Sequence, residues 1–287
     1  MNRLSDERRA AILQCLTEGV SIRATSRLTG AAKGTILRLI AEAGEFASVY
    51  QDFRLQNLRC KRIEADELWA FVGAKRLNAR HEHQGDIWTF TAIDPDTKLM
   101  VSWFVGDRSE ESAIHFMADL ADRLAGRVQI STDGHGMYLT AIREAFGHRV
   151  DYGQVVKDFR RAPPEPGNEK YSPPGVKAVR KRRLIGDPDM DRVSTSIVER
   201  ANLPVRQNLR RFTRLTNGFS KKATNHAHAV SLGFLAYNFC HPHTTLTKAR
   251  DGQKTTPAMA AGLELAPWTM LDVTRRMNPA LETVTSN

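Results

Sequence analysis

Cysteine is scarce in this 287-residue chain: Cys15, Cys60 and Cys240 stand far apart and form no CxxC pair. That spacing argues against a disulfide framework or a cysteine zinc site. No run of eighteen apolar residues occurs, so no membrane-spanning helix is expected. The amino-terminal stretch MNRLSDERRA lacks the apolar core of a secretory leader, and a reduced cytoplasmic setting with no membrane partner is expected. Internal repeats are absent as well. Acid is the minority charge, with 32 Asp+Glu against 42 Lys+Arg, a formal balance of +10. A chain that basic points to a polyanion, because each cation docked on a phosphate releases condensed counterions.

What remains is ordinary globular material, 41% hydrophobic and 26% charged, enough for one large core or a core with an accessory module. Residues 5–44 carry three short helical patterns. Gly19 ends the first, Ser21 is the expected N-cap of the second, and a Gly30 turn leads to a third with Ile36, Leu37, Leu39 and Ile40 inward. Two helices joined by a short glycine-containing turn make a helix-turn-helix pattern. In that reading Lys33, Thr35 and Arg38 face a DNA groove, with Arg23 and Arg27 near phosphates. The expected organisation is an all-α helix-turn-helix domain over 1–45, a linker over 46–63, a catalytic domain over 64–245 and a tail over 246–287.

Within 64–245 the texture alternates. Apolar runs at 68–72, 87–93 and 99–105 read as strands, the last two separated by a turn-like Asp94-Pro95-Asp96. A helix over 110–124, a strand over 128–132, a helix over 138–146 and a strand over 150–156 follow. The expected fold class is α/β, a mixed five-stranded sheet flanked by helices; RNase H-like enzymes use this order, and so do other α/β folds. Residues 157–194, rich in proline and basic residues, read as an extended insertion, and helices resume over 194–214 and 225–239.

Phosphoryl transfer on DNA uses two divalent ions held by carboxylate oxygens, so acids at strand ends are the candidates. Asp66 opens the first strand run and Asp133 closes the fourth; in the RNase H order those strands are neighbours. Taken singly, Asp66 reads equally as a strand cap and Asp133-Gly134 as a turn. A third acid is expected from a helix beside that sheet edge, where Glu199, Asn202 and Arg206 can share a face. Most glutamates, however, are simply solvated.

The stretches Asp66-Glu67-Leu68-Trp69-Ala70-Phe71-Val72-Gly73, Gly106-Asp107-Arg108-Ser109, Thr132-Asp133-Gly134 and Val198-Glu199-Arg200-Ala201-Asn202-Leu203 resemble bacterial insertion-sequence transposases of the DDE type, nearest the insertion-sequence-one family. The likeness continues through Arg206-Gln207-Asn208-Leu209-Arg210-Arg211, Phe219-Ser220-Lys221-Lys222, Tyr237-Asn238-Phe239, His241-Pro242-His243 and Thr256-Pro257-Ala258, covering about residues 60–260. It implies an RNase H-like fold and two Mg²⁺ ions, replaceable by Mn²⁺, on Asp66, Asp133 and Glu199. It also implies cleavage and strand transfer of double-stranded DNA at element ends and target, by a homodimer or larger assembly. Candidate DNA contacts are Lys33, Thr35, Arg38, Arg200, Asn202, Arg206, Arg210, Lys221 and Lys222.

Two departures accompany the likeness. Sixty-five residues separate Asp133 from Glu199 (199 − 133 − 1), more than the family usually has. Pro204 also falls inside the expected helix, where it would kink or restart it. The pairs His81/His83, His226/His228 and His241/His243 each lack a third zinc ligand in sequence. Trp69, Trp88 and Trp103 read as core, and Trp268 as an anchor for the tail. The rival functions are a non-catalytic DNA-binding protein and an RNase H-like nuclease without strand transfer.

Overall fold

The structure, a computed structural model, describes residues 3–159, 176–213 and 216–278. Three helices open it: α1 (Asp6–Thr17), α2 (Ile22–Thr29) and α3 (Lys33–Arg54). Ser5 and Ser21 cap the first two, each hydroxyl accepting from the backbone N–H three residues on. Gly30 ends α2 with φ +69°, a left-handed conformation cheap only for glycine. The three expected helices are thus present, but α3 is far longer than the short helix expected. It runs through the expected boundary at residue 45 and covers the first half of the expected linker.

That extension has a packing cause. At Gly44 an added Cβ would sit 2.4 Å from His228 Cβ, so α3 and α7 (Ala223–Leu235) cross with their backbones nearly touching. Ile12, Leu13, Ile36 and Leu39 are buried in the same cluster as Phe90, Phe116 and Tyr138 beneath the sheet. At the other end Thr274 Oγ1 donates to Asp6 O, and α1 lies against α10 (Met270–Arg276). The amino-terminal helices and the tail therefore share one core with the middle of the chain.

The sheet has six strands rather than five, in the order β3-β2-β1-β4-β5-β6. They are β1 (Arg62–Val72), β2 (Gly85–Ile93), β3 (Met100–Gly106), β4 (Val128–Asp133), β5 (Val150–Phe159) and β6 (Val176–Ile185). β1, β4 and β5 are parallel neighbours; β1–β2, β2–β3 and β5–β6 are antiparallel. Helices α4 (Glu110–Arg123) and α5 (Met137–Phe146) provide the crossovers, and α6 (Ser196–Asn208) packs against β1.

Two corrections concern this region. The stretch 157–194 is not simply an insertion: β5 continues to Phe159, and the basic run Arg180-Lys181-Arg182-Arg183 lies on β6. β6 is exposed along most of its length, so no apolar alternation marks it; pairing with β5 makes it a strand, and its charges protect the sheet edge. The proline-rich part of that stretch, with Arg160, Arg161 and Lys170, lies outside the described residues. Secondly, α6 runs unbroken through Pro204 and stops at Asn208; a short 3₁₀ turn, Arg210–Phe212, follows, and Arg214 lies outside the described residues.

The carboxyl-terminal half is stitched by one buried amide. α7 ends in a π-helical turn, Ala236–Cys240, that carries Asn238 inward. Its side chain both accepts from Met100 N and donates to Met100 O, each at 2.9 Å. Two further short helices, α8 (Thr244–Lys248) and α9 (Pro257–Ala260), lead to Trp268, whose ring lies 5.0 Å from both Tyr50 and Phe239. Trp268 does anchor the tail. Trp69, Trp88 and Trp103 are only half-buried, Trp88 lying under the Arg108 guanidinium. No helix is long and apolar enough to cross a membrane among the described residues.

Candidate carboxylate site

β1 and β4 set the site. Their parallel pairing runs from Arg62↔Gln129 to Glu64↔Ser131, so the next inward-facing pair in register is Asp66 with Asp133. Backbone pairing stops before that pair, and the strands part where the two carboxylates stand. Asp66 lies within β1, since the strand begins four residues earlier than Asp66 rather than at it. Asp133 ends β4, and its Oδ1 accepts from His135 N at 3.0 Å, turning the chain toward α5.

Glu67 joins them. One oxygen each from Asp66, Glu67 and Asp133 all lie within 4.8 Å of one another. Burial pushes the Asp66 carboxyl up to about 7, helped by the charges of Glu67, Asp133 and Glu199 and opposed by the Glu67 backbone N–H. Burial also raises Glu67, against the pull of Tyr138 and Arg108. Arg108 Nη2 donates to Glu67 Oε2 at 3.2 Å, and the fully buried Tyr138 phenol is held well above its usual range by burial and by Glu67. The segment Gly106-Asp107-Arg108-Ser109 aims that arginine: Asp107 accepts from the hydroxyls of Ser109 and Ser112 at the start of α4.

The helix bearing Glu199 is tied to the same strand. Glu64 Oε2 accepts from the backbone N–H groups of Ile197 (2.7 Å) and Val198 (3.0 Å), so an acid on β1 caps the start of α6. An anion there answers the positive end of the helix dipole. Burial still leaves Glu64 above the usual carboxylate range. Asn202, one turn further along, is buried and donates from Nδ2 to Asp66 Oδ2 at 2.7 Å. Asn202, expected as a DNA contact, thus also holds Asp66. Glu199 is half-exposed and lies outside the three-acid cluster; it pairs with Lys157 Nζ and accepts from Thr195 Oγ1 at 2.6 Å.

The structure thus brings Asp66 and Asp133 together and sets Glu199 at the margin, close enough for its charge to act on Asp66. Glu67, Glu64 and Tyr138 were not singled out from sequence, and Lys157 was read only as one of the basic residues of the 157–194 stretch. Glu67 could have been suspected as the acid adjoining Asp66; the others carry no sequence signal. Chemically, three acids crowded in a half-buried cleft repel unless a proton or a cation lies among them. Hard oxygen donors suit a divalent ion of the Mg²⁺ kind. Among the described residues, Glu67 Oε1 and Asn202 Oδ1 are buried oxygens with no hydrogen-bond partner, so the donor set fits such an ion.

The remaining candidates are spread out. Lys33 and Arg38 are exposed on the first turns of α3, and Arg38 Nη2 lies 3.5 Å from Thr35 Oγ1. Arg200, Arg210, Lys221 and Lys222 are exposed and Arg206 is half-buried. Lys221 Nζ lies over the Phe219 ring at 3.9 Å. His81 and His83 are exposed and stacked, whereas His226 is buried against Ser220 Oγ and burial drives it down to about 3.

No known family profile matches the chain, and no curated protein matches it in sequence. Among solved structures, the piggyBac transposase, in its synaptic complex with hairpin DNA, aligns with 99% of this chain and 74% of its own at a TM-score of 0.44 and 11% identity. A likeness at that level carries neither fold nor activity across to this chain.

Proposed function

We propose that this chain is a divalent-metal-dependent DNA transposase, cutting and joining strands at the cleft of Asp66, Glu67 and Asp133. The observation that carries the reading is the convergence of those carboxylates where β1 and β4 part, beside a helix that presents Glu199. The strand order β3-β2-β1-β4-β5 is the one expected of an RNase H-like core, with β6 added at its edge. The sequence motifs around Asp66, Asp133 and Glu199 support the DDE assignment, and the surplus of basic residues supports a DNA substrate.

Asp66 and Asp133 would hold Mg²⁺, with Glu67 and Glu199 as further oxygen donors. The ion would supply charge neutralisation at the attacked phosphate. The chain's own residues do the positioning. Asn202 fixes the Asp66 carboxylate, Arg108 fixes Glu67, and Glu64 fixes the start of α6. Lys157 neutralises Glu199 and, on substrate binding, is placed to turn to a phosphate. Lys33, Thr35 and Arg38 on α3, with Arg200, Arg206, Arg210, Lys221 and Lys222, are proposed to meet duplex DNA, in a dimer that bridges two element ends.

The test is Mg²⁺-dependent nicking and strand transfer on an element-end duplex. Asp133→Ala is expected to lower nicking by at least about a thousandfold, in line with losing a metal seat. Undiminished nicking in that variant removes the reading. Nicking without strand-transfer products would favour a nuclease instead.

A further inference from the structure

Away from the carboxylates, a cavity of about 850 Å³ opens between the amino-terminal helices and the segment that follows α6. Its lining includes Arg23, Lys33, Arg210, Arg211, Lys221 and Lys222, and no acid lines it among the described residues. None of these six cations forms an ion pair among the described residues. The rest of the wall is largely apolar, with Leu37, Ile40, Leu209 and Leu232 facing the space. Cations around an apolar floor suit a ligand with a negative group and a flat, weakly polar body.

Arg211 is the sharpest sign. It is largely buried, and burial alone brings its guanidinium down to about 10. Its Nη1 donates to Ser220 Oγ at 3.0 Å, and no carboxylate meets it among the described residues. A desolvated cation without a counter-ion is costly to keep, and an incoming phosphate would relieve it.

The cavity is also joined to the carboxylate site by two rigid elements. Leu209 follows directly on α6, about 10 Å along the axis from Asn202 at 1.5 Å per residue. Gly73, just past β1, donates to Ser220 O at 2.8 Å, tying the cavity wall to the strand of Asp66 and Glu67. Those spans are a few nucleotides long. The volume takes one nucleotide-sized ligand and is too small for a base-paired helix.

We propose that this cavity receives an unpaired nucleotide of the DNA strand processed at the carboxylate site, its phosphate on Arg211 and its base against the apolar floor. The proposal rests on the transposase reading for its substrate, but its test does not need catalysis. Binding is measured by fluorescence anisotropy in EDTA, with a labelled blunt duplex, the same duplex with a short unpaired thymidine tail, and one with an abasic tail. The thymidine tail is expected to strengthen binding by about tenfold, the scale of one well-seated base, and the abasic tail by much less.

Arg211→Met and Leu37→Trp, the second at the cavity mouth, are each expected to abolish the tail preference while leaving blunt-duplex binding unchanged. Arg211→Met removes a buried unpaired charge, so its melting temperature is expected to hold or rise; Leu37→Trp covers the case in which it does not fold. Equal binding of blunt and tailed duplexes, a tail preference that survives both variants, a loss that falls equally on blunt and tailed DNA, or an abasic tail as good as thymidine would each overturn the proposal. So would displacement of the tail by free thymidine monophosphate at equal concentration. Tail preference in a protein that fails to nick in Mg²⁺ would leave the cavity standing and remove the transposase reading.

Discussion

Replacing Asp66 by asparagine should stabilise this protein at alkaline pH, and the size of the gain follows from the crowding of the site. In the folded chain burial and acidic neighbours raise Asp66 from 3.8 to about 7, so the native state holds a proton that the unfolded chain has released. Its contribution is intact below about pH 4 and is lost as pH climbs through about 7, the reverse of a salt-bridged carboxylate. At about 1.4 kcal/mol per pH unit the full gap amounts to about 4 kcal/mol, and the half-open cleft argues for about 2–4 kcal/mol. The substituted amide keeps an acceptor oxygen for Asn202 and carries no charge.

At pH 8 and in EDTA, Asp66→Asn is therefore expected to melt about 3–7 °C above the unsubstituted protein, the two converging near pH 4. Scanning calorimetry between those limits measures it. Mg²⁺ at about a hundred times its Kd should add about 2.7 kcal/mol to the unsubstituted protein and little to the variant. Melting curves that run parallel across the whole pH range would refute the burial argument. An equal Mg²⁺ shift in both proteins would refute the metal seat.

Two further substitutions test how the site is held. Glu64→Ala removes the acceptor for Ile197 and Val198 N–H and should cost about 1–2 kcal/mol in urea unfolding, as loss of a helix cap does, with reduced nicking. Glu64→Gln keeps an acceptor oxygen and should recover most of both losses; equal damage from both would mean that the charge, not the cap, matters. Gly44→Ala drives a methyl into His228 and should lower stability by about 1–3 kcal/mol in a single cooperative transition. A separate early transition for the amino-terminal helices would show that they do not share the core.

Much was legible in the chain because local chemistry fixes it. Apolar runs marked β1 to β5, the serine at position 21 and the glycines at 19 and 30 punctuated α1 and α2, and Asp66 and Asp133 stood where strand runs began or stopped. β6 was not legible, because a strand with eight successive exposed residues has no alternating face, and only hydrogen bonds to β5 make it a strand. Nor was the length of α3, whose second half is set by the close crossing at Gly44.

The site divides in the same way. By itself the sequence determined that a basic, cysteine-poor chain carries acids at the ends of two strand runs, since composition and periodicity are local properties. Only the tertiary structure decided which acids meet. Parallel registry set Asp66 beside Asp133 and drew in Glu67, and the cap from Glu64 seated α6 so that Asn202, not Glu199, touches Asp66. Proximity between residues tens of positions apart is a product of sheet register and helix docking, and no residue type or spacing encodes it alone.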